Sequence, residues 1–153
     1  VRRTVGKNYP IDMRVSACEW IEDTVSFEDI MYFLKKAEQY VDAIQISAGI
    51  DKNVEANVHC VTTNLEEAMP NLKWAKAAKE QLHVPVSMVG AITSPQMAEE
   101  ILAKGYVDMA AACLRILTGR RRQWKDIRRI LYRVCVVPTV IILPVITGMW
   151  VVP

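Results

Sequence analysis

The four cysteines, Cys18, Cys60, Cys113 and Cys135, lie far apart and form no Cys-x-x-Cys pair. That spacing offers neither a zinc site nor a redox pair, and it reads as free thiols in a reducing cytoplasm. Excess charge is lacking too: 19 Lys/Arg stand against 17 Asp/Glu, a net of +2. This balance leaves nucleic-acid binding without an electrostatic footprint. The first residues, Val1-Arg2-Arg3-Thr4, hold no initiator Met and no apolar run. A secretory leader is therefore not expected, and a chain that continues upstream is. A Gly-rich dinucleotide fingerprint is missing after the first apolar run, which weighs against a Rossmann-type domain.

What is present is a foldable chain of one-domain length. Its 153 residues are 52% hydrophobic and 24% charged, outside the range of disordered sequences. The charges are unevenly spread. Residues 1–112 hold 11 Lys/Arg and 16 Asp/Glu, whereas residues 113–153 hold 8 Lys/Arg and a single acid, Asp126. So sharp a break predicts that the last 41 residues obey different rules, and the chain is divided on that expectation into a first region, 1–118, and a second, 119–153.

The first region alternates strand and helix signals. Residues 11–16, 42–47, 84–89 and 107–112 are short apolar runs that predict strands. Ser26 with Asp29 predicts a capped helix to about Gln39, with Ile30, Phe33, Leu34 and Ala37 on one face. Thr63 with Glu66 predicts a second helix, to about Leu82. Ser94-Pro95 opens a third, which Gly105 would close. Four βα units imply parallel pairing with right-handed crossovers. The strands read as apolar throughout, which predicts cover on both faces. An open doubly wound sheet and half of a (β/α)8 barrel both fit.

The second region starts with a basic stretch, 119–133, and ends with Val134–Pro153, which carries no charge. That run passes the length of a membrane span, and Arg128, Arg129 and Arg133 would flank it on the cytoplasmic side. Pro138, Pro144 and Gly148 interrupt it, so a buried or extended segment is expected instead of a membrane helix.

The blocks "YPIDMRVSACEW", "VDAIQISAG", "VPVSMVGAI" and "GYVDMAAACLRIL" occur in order at natural spacings. In this the chain resembles strands five to eight of the old yellow enzyme family of NADH:flavin oxidoreductases, and within it the 2,4-dienoyl-CoA reductase-like branch. The resemblance covers residues 1 to about 129. It implies an α/β fold, a fragment of a (β/α)8 TIM barrel with FMN at the C-terminal ends of the strands. It also implies NAD(P)H as reductant and an activated alkene, such as an enoyl thioester, as the substrate.

Site residues follow from the same resemblance. Arg14 would contact the pyrimidine edge of the flavin, where a fixed guanidinium stabilises the negative charge of the reduced ring. Gly90 and Ala91 would offer backbone N–H groups to the FMN phosphate, with Cys113, Leu114 and Arg115 on its other side. Leu114 stands where relatives carry arginine, and Arg115 comes one place late. Gln45 stands where many relatives carry histidine, so it offers hydrogen bonds without acid–base chemistry. His59 falls in a loop that the family uses near substrate, and His83 falls at the opposite end of a strand. The branch continues into four cluster-binding cysteines. The corresponding positions here are Ile130, Arg133, Val137 and Met149, so the tail reads as an altered remnant with no iron–sulfur cluster.

The family's proton donor and first four strands would lie upstream of Val1, so the chain alone is expected not to turn over. Two alternatives stand beside this: a non-catalytic phosphate- or flavin-binding half-barrel, and an α/β domain with a membrane-associated tail. A yellow purified protein favours the first reading, and dependence on detergent favours the last. Four strands cut from a closed barrel leave two open edges, which a missing half-barrel or a second copy of the chain would cover. The purified chain is therefore expected to associate in sedimentation experiments. A monodisperse, protease-resistant monomer that survives deletion of residues 134–153 would overturn that expectation.

Overall fold

A computed structural model describes residues 1–50, 52, 54, 56, 69–92 and 94–111. The expectations for His59, Cys60, the Thr63 capping box, Cys113, Leu114, Arg115 and the 119–153 region fall outside the described residues.

The described elements run α1 (Arg2–Val5), β1 (Asp12–Ser16), α2 (Phe27–Ala37), β2 (Ala43–Ser47), α3 (Leu72–Lys79), β3 (Val86–Val89), α4 (Pro95–Ala103) and β4 (Met109–Ala111). A 3-10 turn, Glu38–Tyr40, extends α2. The strands form one sheet in the order β1-β2-β3-β4, and every neighbouring pair is parallel. This is the sequential order of consecutive barrel units. A doubly wound sheet would reverse its order at a switch point, and none occurs among the described strands.

Local chemistry explains the helices. The Ser26 hydroxyl accepts from the Asp29 N–H at 3.1 Å, the predicted N-cap of α2, and donates to the Asp29 carboxylate at 2.7 Å. Ser94 caps α4 through the Met97 N–H. At its other end Gly105 takes φ 67, while the Gly105 and Tyr106 N–H groups return to the carbonyls of Leu102 and Ile101. That paired closure is a Schellman motif, for which a left-handed glycine is best suited.

Two helix expectations need correction. The face of α2 that is buried centres on Ile30, Met31 and Leu34, with Phe27 packed alongside, whereas Phe33 is exposed. At 100° per residue the stripe through 27, 30, 31 and 34 leaves position 33 on its far edge. The second helix does not run unbroken from residue 63 to 82. Met69 adopts φ 57 and Pro70 follows, so α3 begins at Leu72, with Asn71 as its N-cap residue. Proline lacks an N–H and disfavours helical backbone before it, which forces a restart there.

Register decides which side chains meet. Met13, Ile44 and Val86 form one row, and Val15, Ile46, Met88 and Ala110 the next. These join Ile30, Met31 and Leu34 of α2, Ala75 and Ala78 of α3, and Ala98, Ile101 and Leu102 of α4 in one core. The intervening row is Arg14, Gln45, Ser87 and Met109. The helices therefore cover one face, and the opposite face is largely polar. This corrects the reading of the strands as apolar throughout. Gln45, Ser47 and Ser87 nevertheless are buried.

The N-terminal ends of the strands are tied by charge. Asp108 accepts from Lys79 Nζ at 2.7 Å and from the Val86 N–H at 2.8 Å, pinning α3 to the start of β3. Asp42 accepts from Arg2 and from the Ile11 N–H, and the Arg2 bond, first, holds its carboxyl below the ordinary range. Glu38 accepts from the His83 N–H at 2.8 Å and faces the ring Nδ1 at 3.3 Å. That backbone bond, with smaller help from the imidazole and Lys35, lowers the Glu38 carboxyl as well.

Two predictions follow from this packing. Leu34 is fully buried, so Leu34→Ala should cost about 2–5 kcal/mol in urea unfolding. Glu38 has a lowered folded value, so its stabilisation is complete above the unfolded carboxylate value of about 4.3 and is lost as pH falls through the folded one. Glu38→Gln should therefore flatten the acid side of a stability-against-pH profile and leave its neutral side nearly level.

Candidate functional site

Parallel pairing brings all four C-terminal strand ends to one edge, where loops from separate units converge. Arg14 lies on the polar face of β1, half-buried, and its guanidinium donates to the Ser47 hydroxyl of β2 at 2.8 Å. This cross-strand bond restrains a long side chain that would otherwise sample many rotamers. Two residues on, the Ser16 hydroxyl donates to the Gly49 carbonyl at 2.6 Å, and the Gly49 N–H donates to Cys18 at 2.7 Å. The loops after β1 and β2 are thus stitched together beside the Arg14 charge. Gln45 sits buried between Arg14 and Ser87 in the same row.

The turn after β3 has special geometry. Gly90 takes φ 124 and Ala91 takes φ 50. Positive φ at Ala91 is uncommon for a residue with a side chain and marks a constrained turn. A Cβ on Gly90 would lie 2.5 Å from the Asn71 amide nitrogen. Gly90 is therefore required twice, by its dihedral and by the close approach of Asn71. Positive-φ backbone beside small residues is the kind of turn that can bring N–H groups close to an anion.

Asn71 was not singled out from sequence. It is buried, and its Nδ2 donates to the Val89 carbonyl at 2.6 Å, while its Oδ1 has no partner among the described residues. Asparagine after proline, ahead of a helical run, was the available signal. The expected capping box at Thr63 diverted the helix start from it.

Beside the same edge, the loop from β1 to α2 borders an open groove of about 380 Å3, with Cys18, Trp20, Phe27 and Trp74 in its wall. Trp20 and Trp74 meet edge to face, with centroids 5.9 Å apart, and Lys73 Nζ lies 4.3 Å from the Trp74 ring centroid. This aromatic wall also escaped the sequence reading, because Trp20 and Trp74 are remote in the chain. His83 is at the other end of β3, bonded to Glu38 and exposed, as its place before the strand suggested. Arg14, on the polar face, and the Gly90-Ala91 turn, at the end of β3, thus both belong to the C-terminal side of the sheet. Residues 113–115 fall outside the described region.

Residues 1–119 match the pattern of the NADH:flavin oxidoreductase / NADH oxidase family. The chain belongs to that family. An NADH oxidase from Thermoanaerobacter brockii is 32% identical over 116 residues, covering 72% of this chain and 17% of the relative. An NADPH dehydrogenase from Bacillus subtilis is 32% identical over 103 residues, covering 65% of this chain and 28% of the relative. The chain thus spans well under a third of the length of these relatives. Among solved structures, histamine dehydrogenase from Rhizobium sp. 4-9 superposes with a TM-score of 0.64 at 21% identity. That match covers 86% of this chain and 19% of the enzyme, and it establishes the fold of the βα array. Among the described residues no helix is long and apolar enough to cross a membrane, and no cluster of His, Cys, Asp or Glu suits a metal ion.

Gly90→Ala should force the turn and Asn71 apart. A loss of about 1–3 kcal/mol in denaturant unfolding is expected, from the dihedral and the displaced hydrogen bond together. Asn71→Gly in the same chain should return part of it, since the obstructing amide is then gone.

Proposed function

We propose that this chain is the flavin-holding C-terminal part, strands five to eight, of an FMN-dependent NAD(P)H oxidoreductase barrel. The observation that carries the reading is the strand-end edge. A restrained cation, Arg14, and a strained small-residue turn, Gly90-Ala91, stand toward the C-terminal ends of the strands of a sheet whose residues match the flavin oxidoreductase family. Both features fit the group: an anion needs close backbone N–H groups, and a reduced flavin needs a fixed positive charge.

In this reading the Gly90-Ala91 turn holds the phosphate and Arg14 faces the pyrimidine edge of the isoalloxazine. Cys113, Leu114 and Arg115 complete the phosphate side. Ser47 keeps the guanidinium in place, and the core beneath β1 to β4 makes both features rigid. Bound FMN supplies hydride transfer from NAD(P)H to an acceptor; an activated alkene such as an enoyl thioester, the substrate of the dienoyl-CoA reductase branch, is the acceptor we propose. Substrate contacts and the proton donor would come from the remainder of the barrel, so the 153 residues alone bind flavin without turnover.

Arg14→Ala tests this directly. Flavin fluorescence titration should show affinity reduced by about tenfold, the value of one charge-assisted contact. The reduction potential of any bound flavin should fall, because the reduced anion loses its cation. Unchanged affinity together with an unchanged potential would remove Arg14 from the site.

A further inference from the structure

Asn71 occupies the N-cap position of α3, where an asparagine side chain ordinarily accepts an N–H from the first helical turn. Here it makes no such cap. Its side chain reaches instead across to β3 and donates to the Val89 carbonyl, 18 residues away in sequence, at 2.6 Å. The exchange is costly. Asn71 Oδ1 is buried with no partner among the described residues, a desolvation penalty that an apolar residue would avoid. A group held at such a cost calls for an explanation beyond packing.

The peptide that Asn71 grips supplies one. Val89 ends β3, and its carbonyl shares a planar peptide with the Gly90 N–H. In a trans peptide those two groups point in opposite directions. Fixing the Val89 carbonyl toward Asn71 therefore aims the Gly90 N–H away from it. The same asparagine lies where a Gly90 Cβ would be, 2.5 Å off, so it also blocks the turn from relaxing onto α3. A donor fixed in this way costs no reorganisation when an oxyanion arrives.

We infer that Asn71 is a positioning residue for phosphate, setting the direction of the Gly90 N–H through the Val89 carbonyl. The inference rests on the flavin reading above and adds a residue to it. Asn71 need not touch the ligand; its effect passes through one peptide. It should therefore act on the phosphate of FMN and leave the ring system alone, unlike Arg14.

The experiment compares FMN with riboflavin, which lacks the phosphate, using fluorescence titration of the 153-residue chain and its Asn71→Ala and Asn71→Asp variants. Asn71→Asp keeps the shape but loses the donor. The unaltered chain should prefer FMN by about tenfold or more, and both variants should lose most of that preference while riboflavin affinity stays within about twofold. Equal weakening of both flavins, an unchanged preference, or failure of both variants to fold would make Asn71 merely structural and overturn the inference. If the unaltered chain binds neither flavin, the flavin reading fails by itself. Inorganic phosphate followed at the Gly90 amide by 15N NMR then decides. A shift present in the unaltered chain and absent in Asn71→Asp sustains the inference, whereas no shift, or the same shift in both, overturns it.

Discussion

The register of four parallel strands is the constraint on which the rest depends. Because side chains alternate along a strand, the pairing Met13–Ile44–Val86 commits that row and the row of Val15, Ile46 and Met88 to the helices. It simultaneously commits Arg14, Gln45 and Ser87 to the other face. A slip of one residue in β1 would bury the Arg14 guanidinium under α2 and expose Met13 and Val15. The core and the candidate site are thus two sides of one decision.

Parallel pairing has a second consequence: it sends every strand end the same way. The polar ties then divide by end. Asp108, Asp42 and Glu38 fasten the entry side, where they bond backbone N–H groups at strand starts or in the loop leading to β3. Ser16, Ser47 and Asn71 work at the exit side, where they bond a carbonyl or a cation at loop starts. Carboxylates make the ties at the entry side, and neutral side chains make them at the exit side. The strained pair Gly90-Ala91 stands on this exit side, as expected where backbone is shaped for a ligand.

The family match covers residues 1–119, yet the chain accounts for only a small part of its relatives' length. That agrees with the sheet itself. Among the described strands, β1 and β4 each pair on one side only. An all-parallel sheet with helices on a single face leaves its other face for further strands or side chains to enclose. Burial of Gln45, Ser47 and Ser87 on that face shows that it is not simply open water.

Legible in the sequence were the strand–helix alternation from β1 to β4, the parallel pairing, the caps at Ser26 and Ser94 and the stop at Gly105. These are local: a hydroxyl before a helix or a glycine after it acts within a few residues. Family membership was legible too, since it rests on ordered blocks. Packing settled what distance in sequence conceals. The apolar look of the strands hid a polar row, because a single Arg, Gln or Ser per strand becomes a surface only when register aligns them. The Pro70 restart was masked by a stronger capping signal upstream. Asn71 carried no signal of its role, and its grip on Val89 exists only because α3 packs beside β3. The Trp20–Trp74 wall likewise needs the loop after β1 folded against α3. Short-range chemistry wrote the elements, and long-range packing chose which of their polar atoms would meet.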